Sequence, residues 1–257
     1  MIRLGICTSI DHAAVMKEIG YDYVELGMTQ VAQLSDADYA ALRDQVKAAP
    51  LPVEAMNGMI PAEYPLCCPE GTGKRVQDYL AGAFARAQEL GVRVVVFGSG
   101  GARRVPEGVT PAQAYCYLAD YLALAGRMAA QHGLSIAVEP LRAAECNIIH
   151  HVAEAQYLAQ RSGQRNVWAL ADLYHMMQGN ENCAAIEERG VIHCHIADRA
   201  RRFYPAAGDG SEGDYKAFFA ALQKSGYDGR VSIEGRCEDF ARDAEASFAL
   251  LDALRRA

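Results

Sequence analysis

Short runs of β-branched and aliphatic residues alternate with helix-patterned segments eight times along the 257 residues, with no linker or low-complexity stretch between them. The strand runs are expected at 2–7, 21–26, 53–57, 92–97, 134–139, 166–172, 191–196 and 230–234. Helices are expected from Asp11 to Ile19, Ser35 to Ala48, Lys74 to Leu90, from Thr110-Pro111 onward, over 151–162 and 181–188, from Gly213, and from Glu238 to Arg255. Asp11 is placed to cap the first helix, and Gly20, Gly91 and Gly133 to end helices. Strands that alternate with helices are joined by crossovers, which makes the sheet parallel and covers it with helices. Eight such units at this length predict an α/β fold, a (β/α)8 TIM barrel, as a single domain over 1–257. A doubly wound open sheet is the alternative, but it would not bring the ends of strands five to eight around one point.

Four of the apolar runs end in a metal-binding type of side chain. Leu134-Ser-Ile-Ala-Val leads to Glu139, Val167-Trp-Ala-Leu-Ala to Asp172, Val191-Ile-His-Cys to His195, and Val231-Ser-Ile to Glu234. In a barrel these positions lie at the C-terminal ends of the strands, where active sites are built. Each residue alone is as readily a salt-bridge or capping partner; four on successive strands point to one site. Three carboxylates and an imidazole form a mixed oxygen and nitrogen shell that suits Mn²⁺, Mg²⁺, Co²⁺ or Zn²⁺ rather than a thiolate-preferring metal. Such a site fits proton transfer at a carbon beside a carbonyl. A base removes the proton, an acid returns one, and a cation at the substrate oxygens stabilises the anionic enediolate. Carboxylates on opposite faces would give epimerisation, and one carboxylate serving adjacent carbons would give aldose–ketose isomerisation. The sequence leaves both open.

Further segments extend the pattern. Val138-Glu-Pro-Leu141 is followed by Glu145 and Asn147, and Ala171-Asp-Leu-Tyr-His175 follows strand six. His193-Cys-His-Ile-Ala-Asp198 precedes Arg201, Gly208-Asp-Gly210 precedes Asp214-Tyr, and Gly226-Tyr-Asp-Gly229 runs into Ser232-Ile-Glu234. Together they resemble the xylose-isomerase-like barrel superfamily, and within it the sugar (phosphate) isomerase/epimerase group similar to D-tagatose 3-epimerase. The resemblance implies that Glu139, Asp172, His195 and Glu234 hold one divalent metal, Mn²⁺ first among the candidates. It makes Glu139 and Glu234 the acid and base facing each other across the substrate. His175 and Arg201 would hydrogen-bond substrate oxygens, and Glu145 would orient nearby groups. The implied partner is a small sugar, sugar phosphate or related hydroxy-carbonyl compound, and the resemblance allows a homo-oligomer.

The net charge of −7 disfavours nucleic acid as a partner. The absence of any apolar run of ~18 residues disfavours a membrane span, and the start at Met1-Ile-Arg-Leu lacks signal-peptide features, so a cytoplasmic location is expected. Eight scattered cysteines with no C-x-x-C pair read as buried free thiols. A DNA-repair endonuclease of the same superfamily would need additional histidines on strands two to four, which are missing. A lyase or dehydratase using the same enolisation is the main alternative function, and a non-catalytic sugar-binding barrel is a third. His193 is expected as a packed, hydrogen-bonded core residue, with a supporting contact one layer beneath the site as the alternative, and His150 and His151 as openers of a helix, His150 either lining the pocket or capping. Glu25 stands between a pocket acid and a buried structural partner. Gly98–Arg104 reads as a tight loop, with anion binding through Arg103 or Arg104 as the alternative. Arg199 and Arg202 are expected in solvent, Trp168 in the core or against a helix, and Tyr174 near the pocket.

Overall fold

The computed structural model describes residues 1–187 and 190–257. Eight strands, β1 (Arg3–Cys7), β2 (Tyr23–Gly27), β3 (Val53–Asn57), β4 (Val94–Phe97), β5 (Ser135–Val138), β6 (Val167–Asp172), β7 (Val191–Ile196) and β8 (Arg230–Ile233), close into a barrel in chain order. Every neighbouring pair is parallel, and β8 returns to pair with β1 through Leu4↔Val231 and Gly5↔Ser232. The expected TIM barrel is therefore the observed fold.

Nine α-helices surround it among the described residues: α1 (Ala13–Ile19), α2 (Met28–Gln33), α3 (Asp36–Ala48), α4 (Lys74–Glu89), α5 (Pro111–Gln131), α6 (Val152–Arg161), α7 (Leu173–Gln178), α8 (Glu212–Lys224) and α9 (Phe240–Arg256). Two of these were not expected. Each has six residues, too few to display a helical period, and each starts directly where a strand ends. The helix expected over 181–188 is a 3-10 turn at Cys183–Ile186, and residue 188 lies outside the described residues. The first helix begins two residues later than expected, after a 3-10 turn at Ile10–His12 whose cap is Ser9 rather than Asp11. All eight cysteines are free, as expected, but Cys116 is exposed and only Cys67, Cys146 and Cys194 are fully buried.

Side chains alternate along the strands, so every second residue faces the barrel axis except where the β2–β3 and β6–β7 registers shift by one residue. The outward set, including Val24, Leu26, Val95, Ile136, Cys194 and Val231, packs with the helices into the larger core. The inward set divides by height. Tyr23, Ala55, Val94, Val96, Ala137 and Leu170 fill the lower interior as a separate apolar cluster. Below them Glu54 is ion-paired with Arg3 and with Arg230, whose Nε lies 2.7 Å from Glu54 Oε2. The inward positions above that cluster are polar, and these make the site.

Tyr23 depends on a missing side chain. A Cβ on Gly5, opposite it on β1, would collide with the Tyr23 ring. The space lets the ring cross the interior, where its hydroxyl meets Ser232 Oγ of β8 at 2.6 Å. Gly5→Ala is expected to destabilise the fold by about 1–3 kcal/mol through overpacking, read as a lower urea midpoint with an unchanged denaturant slope.

Candidate active site

Each of the four expected ligand residues sits at the top of its strand. Glu139 follows β5 with its N–H donated to Phe97 O (3.2 Å), and Glu234 follows β8 with its N–H donated to Ile196 O (3.1 Å). Asp172 ends β6, and His195 is the inward residue two positions after His193 on β7. Ligand atoms of all four lie within 4.8 Å of one another. His195 Nδ1 is 3.0 Å from Glu139 Oε1 and 3.6 Å from Glu234 Oε2. Gly98 makes room for the cluster, because a Cβ there would overlap Glu139 Oε2.

The charges in this cluster are not independent. Burial, and next the Glu234 carboxylate, push both Glu139 and Asp172 above the usual carboxylate range. Glu234 is held below it, because the charges of His195 and Arg202 outweigh the burial that opposes them. Asn57 Nδ2 donates to Glu234 Oε1 at 2.9 Å, and Arg202 donates to Oε2. Buried like charges at this spacing raise one another's proton affinity unless a cation intervenes. The donor set, three carboxylates and one imidazole nitrogen, fits a divalent metal ion.

His175 and Glu145 form the rim on one side. The His175 N–H donates to Asp172 Oδ1 at 3.1 Å, which anchors α7 to the top of β6. His175 Nδ1 accepts the Arg142 N–H at 3.2 Å, so Nε2 carries the proton of the neutral ring. Burial keeps the imidazole neutral. That buried Nε2 has no hydrogen-bond partner among the described residues, and it lies 3.8 Å from Asp172 Oδ2 and 4.0 Å from Glu145 Oε2. Glu145 accepts from Arg142 Nε at 2.7 Å and lies 3.5 Å from Arg202 Nη1. Both guanidinium groups lie over the ring of Tyr174, which is buried near the pocket as expected.

The structure does not bring Arg201 to this cluster. Its side chain is exposed and lies over the Phe203 ring, 4.5 Å from the centroid. Arg202, expected in solvent, reaches Glu234 instead, with Asp172 Oδ2 at 4.0 Å. The exchange follows from one turn. The buried Asp198 carboxylate accepts the N–H groups of Ala200 (2.8 Å), Arg201 (2.9 Å) and Phe203 (2.7 Å). Arg202 takes a left-handed backbone, φ 55°, which turns its side chain inward. Counting residues along the sequence cannot detect that reversal.

The remaining candidates separate cleanly. Arg103 is fully buried with Nη1 on Phe97 O at 3.0 Å, and Arg104 Nη2 donates to Glu145 O at 3.2 Å, so both arginines brace the loop. His150 Nδ1 lies 2.9 Å from Leu141 O and does not cap α6; Glu154 Oε2 accepts the N–H groups of His150 and His151. Arg199 pairs with Asp214 at 2.9 Å. Trp168, expected in the core or against a helix, is 40% exposed. Glu25 and His193 are buried together directly beneath His195. Asn57, Arg142 and Arg202 are contributors that no motif announced.

Comparison with known proteins identifies proteins to which the chain is similar. The chain is 31% identical over 139 residues to 3-dehydro-D-guloside 4-epimerase of Escherichia coli (strain K12), a match spanning 52% of this chain and 52% of that protein. Its fold superposes on D-psicose 3-epimerase with a TM-score of 0.84 at 16% identity, covering 99% of both chains. It superposes on 3-keto-D-glucoside 4-epimerase from E. coli with a TM-score of 0.80 at 22% identity, covering 98% of this chain and 100% of that one. The family described as Xylose isomerase-like TIM barrel matches residues 13–256, and the chain belongs to it.

Proposed function

We propose that this protein is a divalent-metal-dependent epimerase or isomerase of a small sugar, sugar phosphate or related hydroxy-carbonyl compound. The observation that carries the reading is the convergence of Glu139 and Glu234, after β5 and β8, with Asp172 and His195 of the two strands between them, ligand atoms of all four lying within 4.8 Å of one another. Glu139, Asp172, His195 and Glu234 would hold the cation, with Mn²⁺ the first candidate. Bound there, it would supply Lewis-acid stabilisation of the negative charge that develops on substrate oxygens.

The residues of the chain do the proton chemistry. One carboxylate takes the proton from the carbon beside the carbonyl, and its counterpart or the same group returns one. His175 Nε2–H is the unengaged donor suited to a substrate oxygen. Arg202, rather than Arg201, would bind a second oxygen, a reading supported by its contact with Glu234. Epimerisation of a keto-sugar is the form of the reaction that the 31% identical relative favours.

Glu139→Gln and Glu234→Gln are each expected to abolish turnover. Incubated with Mn²⁺ in D₂O and a panel of ketoses, ketose phosphates and keto-glycosides, the wild type should place deuterium beside a carbonyl in the NMR spectrum. Chelation of the metal should stop the exchange. Release of a fragment in place of an isomer would make the enzyme a lyase, and a near wild-type rate in either variant would refute the two-carboxylate scheme.

Arg202→Ala is expected to slow turnover by about 10²-fold, the typical effect of a well-placed donor. Arg201→Ala should remain within about twofold of wild type, in keeping with a surface change. Equal losses in the two variants of kcat/KM would contradict the placement of Arg202.

A further inference from the structure

The polar layer beneath the four-residue cluster is as fully organised as the cluster, and the proton transfer just described does not use it. Glu25 is fully buried in the barrel interior on β2. Its Oε1 faces His195 Nε2 at 3.0 Å. Its Oε2 faces His193 Nε2 at 2.8 Å and accepts the Ser232 hydroxyl at 2.5 Å. With its proton committed to Glu25, the Ser232 oxygen is left to accept the Tyr23 hydroxyl. Three donors from two strands thus converge on one carboxylate that water does not reach.

We propose that Glu25 is a positioning residue that fixes the tautomer and ring orientation of His195, and thereby sets the affinity of the site above it for a divalent cation. The inference rests on the metal-site reading given above. A neutral imidazole has one N–H and one lone pair. An ionised carboxylate that is already the acceptor for Ser232 and His193 can only accept from His195, so when a cation takes the place of a proton at Nδ1 the one remaining His195 proton resides on Nε2. The lone pair of Nδ1 then faces Glu139 and Glu234, at the point where the carboxylates converge. A carboxylate behind a ligating imidazole also increases the basicity of the ligating nitrogen. His193 and Ser232 hold the other oxygen of Glu25, which keeps the carboxylate from rotating away. The Tyr23 hydroxyl reaches Ser232 only because Gly5 has no side chain.

The test compares Mn²⁺ binding by calorimetry in the wild type, Glu25→Gln and Ser232→Ala. Glu25→Gln keeps the shape of the side chain and removes its charge, and it is expected to weaken Mn²⁺ binding by about 10–100-fold. Ser232→Ala removes one brace without touching His195 and should weaken binding less. The second readout is ¹⁵N NMR of histidine-labelled wild type with Zn²⁺ as a diamagnetic probe. The expected spectrum has the His195 proton on Nε2 and the metal on Nδ1, which a purely structural role for Glu25 would not require. Wild-type Mn²⁺ affinity in a folded Glu25→Gln protein would overturn the inference while leaving the metal-site reading standing, and a His195 proton on Nδ1 in the Zn²⁺-loaded protein would overturn both the inference and His195 as a ligand. Failure of the wild type to bind any divalent cation would overturn the metal-site reading and this inference with it. If Glu25→Gln does not fold, the Ser232→Ala affinity and the wild-type spectrum decide the matter.

Discussion

Three carboxylates held within a few ångströms inside a protein repel one another, and the upper half of this barrel is arranged around that repulsion. Burial alone would protonate them. Glu234 remains ionised because His195 and Arg202 face it, whereas Glu139 and Asp172, with less compensation, are driven towards their protonated forms. The surroundings then follow as counterweights. Asn57 and Arg202 occupy the two oxygens of Glu234, and the N–H of His175 takes one oxygen of Asp172. Each of these contacts restrains a side chain whose charge would otherwise turn it towards solvent. Such a cluster costs folding energy and persists where a bound cation or a reacting substrate repays it.

The rigidity of the site comes from backbone as much as from side chains. Gly98 lets β4 approach Glu139 more closely than any other residue could. The long segment after β3 is tied to the same loop, through Ile60 N–H to Ser99 Oγ at 3.1 Å and Leu66 N–H to Ala102 O at 2.9 Å. On the opposite side, Asp198 folds the β7 loop through three backbone N–H groups, and that turn aims Arg202. Preorganised donors of this kind need no rearrangement when charge develops.

The fold was legible because alternation of strand and helix is a property of whole segments, and eight repetitions leave few topologies. The convergence of the four residues was legible for the same reason: Glu139, Asp172, His195 and Glu234 each end an apolar run, and a parallel barrel collects such ends. What escaped depends on single dihedral angles or on contacts distant in sequence. Arg201 and Arg202 are adjacent and chemically identical, and only the left-handed backbone at Arg202 decides which one turns inward. The short helices α2 and α7 are stabilised by what they pack on, not by a visible period. Asn57 joins Glu234 across 177 residues, and nothing in its neighbourhood marks it. Trp168 misled because an aromatic in a strand is usually covered, whereas here it stands 40% exposed on the outside of β6.

The floor of the barrel has its own consequence. Arg3, Glu54 and Arg230 lock the lower rim by ion pairs, and the apolar cluster headed by Tyr23 fills the space above them. The interior is a blind well, not a passage. A molecule that reaches Glu139 and Glu234 has to leave by the opening through which it came. Any reactant and product of similar shape would share that opening, and exchange there would limit how fast the barrel turns over without moving the equilibrium between them.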